Sequence, residues 1–208
     1  MTDIHKAQRV GVFVDVQNMY YSAKYEYNAH VNFKSILQDA VRGRNLVRAL
    51  AYVIRTEEAG KESFFEALTH IGFEVRAKDL QIFAGGAKKG DWDIGIAMDC
   101  IEQAPRLDTI VLVSGDGDFI PLVEHLKRAL GCRVEVIAFG KSSSAKLIEV
   151  ADSYIDLDKD LKKYCIKPTM RSVPRREVDT HAVPPSPAPV KKPSPQAPAR
   201  GHSGPIRR

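Results

Sequence analysis

Aspartates stand at three separate places in the chain where they could hold a metal ion. Asp15 directly follows one short apolar run, and Asp116 and Asp118 follow another. A third segment carries Asp91 and Asp93 ahead of a helical pattern. Carboxylates grouped without Cys or His are oxygen ligands that suit Mg²⁺ or Mn²⁺. Such a site fits phosphodiester hydrolysis, in which a metal ion activates water and stabilises the leaving oxygen.

The elements that must position these acids alternate between strand-like and helix-like segments. Arg9–Val14 and Thr109–Val113 are short, almost continuously apolar runs, which are typical of central parallel strands covered on both faces. More mixed runs predict further strands nearer the edges at Leu46–Ile54, Phe73–Ala77 and Arg133–Phe139. Helical patterns cover Val31–Val41, Glu57–Ile71, Asp91–Gln103 and Phe119–Leu130. The alternation predicts an α/β fold with a three-layer, doubly wound, mainly parallel sheet.

In a sheet of this kind, ligands bind beyond the carboxyl ends of the strands, where the strand order reverses. Asp15 and Asp116 follow the two predicted central strands. If these strands are neighbours, about 4.8 Å apart, both carboxylates are within reach of one cation. Clustered carboxylates repel one another and destabilise the fold unless a cation neutralises them. The sequence therefore predicts a metal site at this edge.

Helix capping is the alternative explanation for each of these acids. Asp15 or Asn18 could cap the helix after the first strand, and Asp116 or Asp118 the helix after the second. Asp91 could cap the helix that follows it. Helix starts and ligand sites coincide in this architecture, so three converging segments favour a site over capping alone.

Four weaker features keep two interpretations each. Asp99 lies six residues beyond Asp93, about 120° around an ideal helix, and could support the site or face solvent. Lys89 could clamp a phosphate or belong to an exposed loop. Lys141 and Ser142 could hold a phosphate, or the serines there could cap a helix. The tyrosines of the first helix could stack on bases, but packing against the sheet is the commoner role for Tyr20, Tyr21, Tyr25 and Tyr27.

The composition separates a domain from a tail. Residues 167–208 hold nine basic and two acidic residues, a balance of +7, so the formal net charge of +5 leaves −2 for the rest. Ten of the twelve prolines lie in the same stretch. We therefore predict a domain over residues 6–165 and a disordered, basic tail over residues 166–208. The tail could be a solvated linker, or it could contact nucleic acid or other proteins.

The sequence predicts a cytoplasmic protein without a membrane segment. No apolar run approaches the roughly 18 residues of a spanning helix, and the first residues lack the features of a signal peptide. The oligomeric state stays open, and a homo-oligomer is compatible with the sequence.

Four motifs in order resemble the NYN domain of LabA-like proteins, a branch of the PIN-like ribonuclease superfamily. They are Val12–Asn18, Lys89–Asp99, Val113–Phe119 and Leu147–Asp156. The resemblance implies a PIN-like sheet and a metal-dependent ribonuclease acting on RNA with Mg²⁺ or Mn²⁺. It implies catalytic acids at Asp15, Asp93, Asp116 and Asp118, with Asp99 as a further metal ligand. Substrate binding is assigned to Asn18, Lys89, Ser114, Lys141 and Ser142.

One departure from the family pattern concerns Asp91 and Trp92, which precede Asp93 where the family more often has a single small or β-branched residue. Two acids therefore compete for one role. We prefer Asp93, because its six-residue spacing to Asp99 keeps the family pattern.

Three other classes of function compete with a nuclease. The main rival is a PIN-like module that binds RNA or a nucleotide without cutting it. A phosphatase acting through an aspartyl phosphate needs a second acid two residues after Asp15, where this chain has Gln17. A dinucleotide oxidoreductase is less compatible still, since no G-x-G-x-x-G follows the first strand.

Overall fold

The structure, a computed structural model, describes residues 5–55, 61–82 and 88–166. The predicted tail lies outside these residues, as does the start of the helix predicted from Glu57. The strands are β1 Arg9–Asp15, β2 His30–Val31, β3 Asn45–Arg55, β4 Glu74–Asp79, β5 Gln81–Ile82, β6 Lys88–Lys89, β7 Thr109–Val113, β8 Arg133–Ala138, β9 Ser153–Asp156 and β10 Cys165–Ile166. The α-helices are α1 Val16–Tyr27, α2 Phe33–Val41, α3 Lys61–Ile71, α4 Asp93–Gln103, α5 Ile120–Arg128, α6 Ala145–Val150 and α7 Leu161–Tyr164.

Six strands form one parallel sheet in the order β4-β3-β1-β7-β8-β9. The chain winds outward from β1 to β4, returns to β7, and then winds outward on the other side. The strand order therefore reverses between β1 and β7, where Val14 lies opposite Val113. The predicted fold class and the central position of these two strands are confirmed.

Side chains of β1 alternate between two cores, one on each face of the sheet. Val12 and Val14 belong to the core that includes Met19 of α1. Phe13 belongs to the opposite core, which includes Ile96 of α4. Because helices cover both faces, every position of the strand interior is apolar, and this explains the continuous run in the sequence. Among the described helices, none has both the length and the apolar character needed to cross a membrane.

Differences from the sequence prediction include the starts of two helices and one strand of the sheet. Helix α2 begins at Phe33, because His30–Val31 instead forms a short antiparallel pair with Cys165–Ile166. Helix α4 begins at Asp93, two residues later than predicted. The edge strand β9 was not predicted as a strand; its four residues are all only partly buried and show no strong alternation.

Candidate active site

Asp15 ends β1 and caps α1. Its Oδ1 accepts a hydrogen bond from the backbone N–H of Asn18 at 3.0 Å. Its Oδ2 accepts from the Ser114 hydroxyl at 3.4 Å. Val14 and Val113 are register partners, so the residues that follow each of them meet at the carboxyl edge of the sheet. Asp15 thus combines the capping role and the site position that the sequence left as alternatives.

The turn after β7 is fixed by hydrogen bonds to its neighbours. Asn18 Oδ1 accepts from the Gly115 N–H at 3.1 Å, and Ser114 Oγ accepts from the Asp116 N–H at 3.2 Å. A side chain at Gly115 would begin 2.4 Å from the hydroxyl of Ser143 and 3.0 Å from its Cα. Only glycine allows this close approach. These contacts hold Asp116 at the mouth of the site.

Asp116 and Asp118 belong to one local motif. Asp116 Oδ1 accepts from the Asp118 N–H at 2.9 Å and caps the 3₁₀ turn Gly117–Phe119. The other carboxylate oxygen of Asp116 has no hydrogen bond among the described residues. Capping therefore leaves Asp116 able to offer an oxygen to a ligand.

Asp93 is the first residue of α4, and capping does not account for it. The N-cap position is occupied by Trp92, which makes no side-chain cap hydrogen bond. Instead, Trp92 Nε1 donates to the backbone carbonyl of Val53 at 2.9 Å and anchors the start of the helix to β3. This anchor places the Asp93 carboxylate opposite the turn after β7.

Three carboxylates converge at the carboxyl edge of the sheet. One oxygen from each of Asp93, Asp116 and Asp118 lies within 4.8 Å of the other two. A six-coordinate Mg²⁺ with bonds of about 2.1 Å spaces opposite ligands by about 4 Å, so small side-chain rotations bring this set onto one ion. All three donors are oxygens, and the set fits Mg²⁺ or Mn²⁺. Asp91 is exposed and does not belong to this group.

Burial and mutual repulsion disfavour the charged form of two of these acids. Burial, aided by the charges of Asp93 and Asp116, raises the pKa of Asp15 to about 6 against the hydrogen bonds from Asn18 and Ser114. Burial also raises the pKa of Asp93, and Asp116, Asp91 and Asp118 add to the effect. A cation placed among them would reverse this cost. The site is therefore a group of acids whose negative charge is not offset by an ion pair among the described residues.

The described residues place one cation near the group and pair it with none of the acids. Lys78 of β4 lies with its ammonium 4.7 Å from the centre of the Trp92 ring, and its charge lowers the pKa of Asp93 slightly against the larger effect of burial. Within the described residues, Asp15, Asp93, Asp116 and Asp118 form no ion pair.

A cleft of about 500 Å³ opens over Asp15, Asp93 and Asp116. Helix α1 contributes Tyr21 and Tyr25 to its lining. The rest of the described lining is Gln17, Asn18, Ser22, Glu26, Gly90, Asp91, Trp92 and Ser142. No lysine, arginine or histidine is found among these lining residues.

The other predicted site residues lie at varying distances from this centre. Asp99 accepts a hydrogen bond from the Tyr52 hydroxyl at 2.7 Å and is outside the three-carboxylate group, as its angular offset from Asp93 suggests. Ser142 lines the cleft and donates to the Ser22 hydroxyl at 2.8 Å. Lys141 lies with its ammonium 5.1 Å from the ring centre of Tyr27. Lys89 is in β6, and its side chain lies outside the described part of the structure.

Sequence reasoning missed two residues that shape the site. Lys78 is in an edge strand 15 residues before Asp93, and no local pattern connects them. Trp92 was noticed only as a departure from the family pattern. Its position between two acids was the available signal, because an aromatic ring there has to pack on a neighbouring element.

The parallel sheet with its strand reversal between β1 and β7, together with carboxylates at that reversal, defines a PIN-like α/β domain. Comparison with known proteins identifies the family. A model of the NYN domain matches residues 9–158, and the chain belongs to the NYN domain family. Domains of this family are generally ribonuclease-like hydrolases that use divalent metals.

The chain is also similar to two further proteins and to one solved structure. The chain is 28% identical over 180 residues to the low amplitude and bright protein LabA of Synechococcus elongatus, covering 81% of this chain and 93% of LabA. It is 26% identical over 160 residues to protein MJ0482 of Methanocaldococcus jannaschii, covering 74% of this chain and 57% of that protein. A crystal structure of VPA0982 from Vibrio parahaemolyticus superimposes with a TM-score of 0.72 at 33% identity, covering 79% of this chain and all of VPA0982.

Proposed function

We propose that this protein is a Mg²⁺- or Mn²⁺-dependent ribonuclease that hydrolyses RNA phosphodiester bonds at the carboxyl edge of its sheet. The observation that carries the proposal is the convergence of Asp93, Asp116 and Asp118, whose oxygens lie within 4.8 Å of one another without an ion pair among the described residues. Membership of the NYN family supports the same conclusion.

In this proposal each group of residues has a distinct role. Asp93, Asp116 and Asp118 hold the metal ion, and the buried Asp15 completes the negative site from the end of β1. A bound divalent ion supplies an activated water and stabilises the leaving oxygen. Asn18 and Ser114 position the turn that carries Asp116, through their hydrogen bonds to Gly115 and Asp116.

The remaining predicted residues are assigned to the surroundings of the site. We propose that Asp99 supports α4 through Tyr52 rather than binding the ion directly. Ser142 is placed to contact substrate because it lines the cleft. Phosphate binding by Lys141 and Lys89 stays a prediction.

The test is cleavage of labelled RNA by the full chain with Mg²⁺, with Mn²⁺ and with EDTA. We expect cleavage only with a metal ion, and a loss of about 100-fold or more in Asp15→Asn and Asp116→Asn, as is typical when a group that stabilises transition-state charge is removed. Binding of RNA without cleavage of any RNA under these conditions would assign the protein as a binding module instead.

Asp91 and Asp93 offer a matched pair of variants within the same loop. Asp93→Asn should lose activity like Asp116→Asn, whereas Asp91→Asn should retain most of it, because Asp91 lines the cleft but lies outside the three-carboxylate group. The reverse result would move the metal ligand to Asp91 and overturn the assignment of Asp93.

A further inference from the structure

Two tyrosines of α1 form an exposed stacked pair on the wall of the cleft. The rings of Tyr21 and Tyr25 lie 9° from parallel, with their centres 5.6 Å apart. Their spacing of four residues places them on the same face of the helix. Tyr25 is 74% exposed and Tyr21 41% exposed. A large aromatic surface is thus presented to solvent beside the carboxylates.

Packing of α1 does not explain this pair. The buried residues of the helix are Val16, Met19, Ser22 and Ala23. Tyr27 is the tyrosine of this helix with a structural role: it packs against Phe139 at 5.6 Å and donates to Asp158 at 2.6 Å. Tyr21 and Tyr25, in contrast, stack on each other. Tyr21 also packs edge-on against Tyr20 at 5.4 Å, and Tyr25 leaves most of its surface free.

The described part of the cleft can contact RNA through base stacking on its aromatic rings. Its described lining is acidic and includes no lysine, arginine or histidine. Stacking of a base on an aromatic side chain strengthens binding and needs no positive charge. Both rings line the same cleft as Asp15, Asp93 and Asp116, so a base stacked on them would lie in the cleft that holds these acids.

We propose that Tyr21 and Tyr25 form a stacking platform for an unpaired nucleotide of the RNA, one that lies in the same cleft as the scissile bond. The inference rests on the proposed ribonuclease function. By helix rise, Tyr21 and Tyr25 lie about 9 and 15 Å along α1 from Asp15, so a base stacked on them is offset along the helix from the acids. Bases in a duplex are stacked on their neighbours, and only unpaired bases can leave the stack for such a platform.

The experiment measures RNA affinity in a cleavage-deficient background. The full chain carrying Asp116→Asn binds a fluorescently labelled single-stranded RNA, and Tyr21→Leu and Tyr25→Leu are added singly and together. We expect each to weaken binding about 5- to 100-fold, the range that base stacking implies. Tyr25→Trp should restore affinity because it keeps an aromatic face. Leu46→Ala is the control: Leu46 is exposed near the start of β3 and not among the lining residues, and should change affinity by less than about twofold.

An RNA series with one abasic nucleotide locates the contact. At one position, removal of the base should weaken binding to the Asp116→Asn protein and cause no further loss in the Tyr25→Leu protein. Unchanged affinity in the double leucine variant, no measurable RNA binding, or equal affinity for a blunt RNA duplex would each overturn the platform.

Cleavage assays separate this inference from the one on which it rests. If the wild-type chain does not cleave RNA but the tyrosine variants still lose affinity, the nuclease proposal fails and the platform stands. If the wild-type chain cleaves RNA and the tyrosine variants keep both affinity and kcat/KM, the platform fails and the nuclease proposal stands.

Discussion

The two ends of the central sheet treat buried charge in opposite ways. Near the amino ends of the strands, the Glu135 side chain is only 2% exposed and accepts hydrogen bonds from the fully buried Arg44 at 3.1 and 2.8 Å. Arg133 donates to the same carboxylate at 3.1 Å. At the carboxyl ends, Asp15 is similarly buried, but its hydrogen-bond partners are the neutral groups of Asn18 and Ser114.

The pKa values follow this difference. Burial alone would raise the pKa of Glu135, but the hydrogen bonds and charge of Arg44, with Arg133 and Arg42, hold it below its ordinary value. Burial raises the pKa of Asp15, and neighbouring acids add to that rise. The fold thus surrounds Glu135 with arginines, whereas the described residues give Asp15 no such partner. This contrast is what the proposed metal site requires at the acidic end.

The largest expected effect is a loss of stability when Arg44 loses its counter-charge near the amino ends of the strands. Glu135→Gln leaves the buried Arg44 guanidinium without its counter-charge, and removal of one partner of a buried pair costs about 3–5 kcal/mol. Urea denaturation should therefore show a lower free energy of unfolding by this amount. Asp108→Asn, which breaks an ion pair with Arg9 that is about half exposed, should cost less than about 1 kcal/mol. Equal losses of stability in Glu135→Gln and Asp108→Asn would show that the buried pair contributes no more to stability than the exposed pair.

At the acidic end, removal of a buried charge should raise the free energy of unfolding instead of lowering it. EDTA keeps metal ions from balancing the charge of Asp15. Burial of the ionised carboxylate then destabilises the fold in full above the folded pKa of about 6, and not at all below the ordinary value of 3.8. Wild-type stability should therefore fall as pH rises from about 4 to 6 on this account. Asp15→Asn keeps a helix-capping side chain, so it should be up to about 3 kcal/mol more stable than wild type at pH 7.5 and similar at pH 4.

Urea denaturation at the two pH values measures this difference. Lower stability of Asp15→Asn at pH 7.5 would mean that the fold stabilises the Asp15 carboxylate, and the two ends of the sheet would then treat buried charge alike. Asp158→Asn, a partly buried acid distant in sequence whose oxygens accept from Tyr27 and Lys141, should be destabilising and serves as the control.

Metal addition should restore charge balance to the acidic end. Mn²⁺ at 100 times its dissociation constant would raise the free energy of unfolding of the wild type by about 2.7 kcal/mol. Asp116→Asn should lose this gain, and Asp91→Asn should keep most of it, because Asp91 is not in the three-carboxylate group. Thermal denaturation with and without Mn²⁺ measures the gain. The same stabilisation in all three proteins would place the metal elsewhere.

The central part of this architecture could be predicted because its causes are local. β1 and β7 are buried on both faces, and burial of every residue produces the apolar runs that the sequence displays. Residues that follow the two strands then meet at one edge, as Asp15 and Ser114 do. The ribonuclease activity and the individual site assignments stay predictions until the experiments above are done.

The surroundings of the site could not be predicted because their causes are tertiary. Lys78 reaches the site from an edge strand, and Trp92 is fixed by the Val53 carbonyl of another strand. The exposure of Tyr21 and Tyr25 depends on which face of α1 packs on the sheet, and its weakly amphipathic sequence does not decide that. The boundary of the domain at residue 165 likewise stays a prediction.

The smallest expected effect tests the one cation that approaches the acidic end among the described residues. Lys78→Met keeps an unbranched side chain over the Trp92 ring but removes the charge that lowers the pKa of Asp93. The pKa of Asp93 should rise, so a larger fraction of the protein would be protonated there and unable to bind a cation at low pH. The acid limb of the cleavage pH profile should therefore move to higher pH, with a loss below about fivefold near pH 6 and a smaller one near pH 8.

Lys24→Met is the control for this variant, because Lys24 also lies over a tyrosine ring, 5.3 Å from the centre of Tyr20, and its charge has no resolved effect on Asp93. Its pH profile should match that of the wild type. A uniform loss at every pH in Lys78→Met would mean that Lys78 contacts the RNA phosphate instead of tuning Asp93. Lys78 would then bind the substrate at the acidic end. The two ends of the sheet would differ in what their cations bind, RNA at one end and a carboxylate at the other, rather than in whether a cation is present.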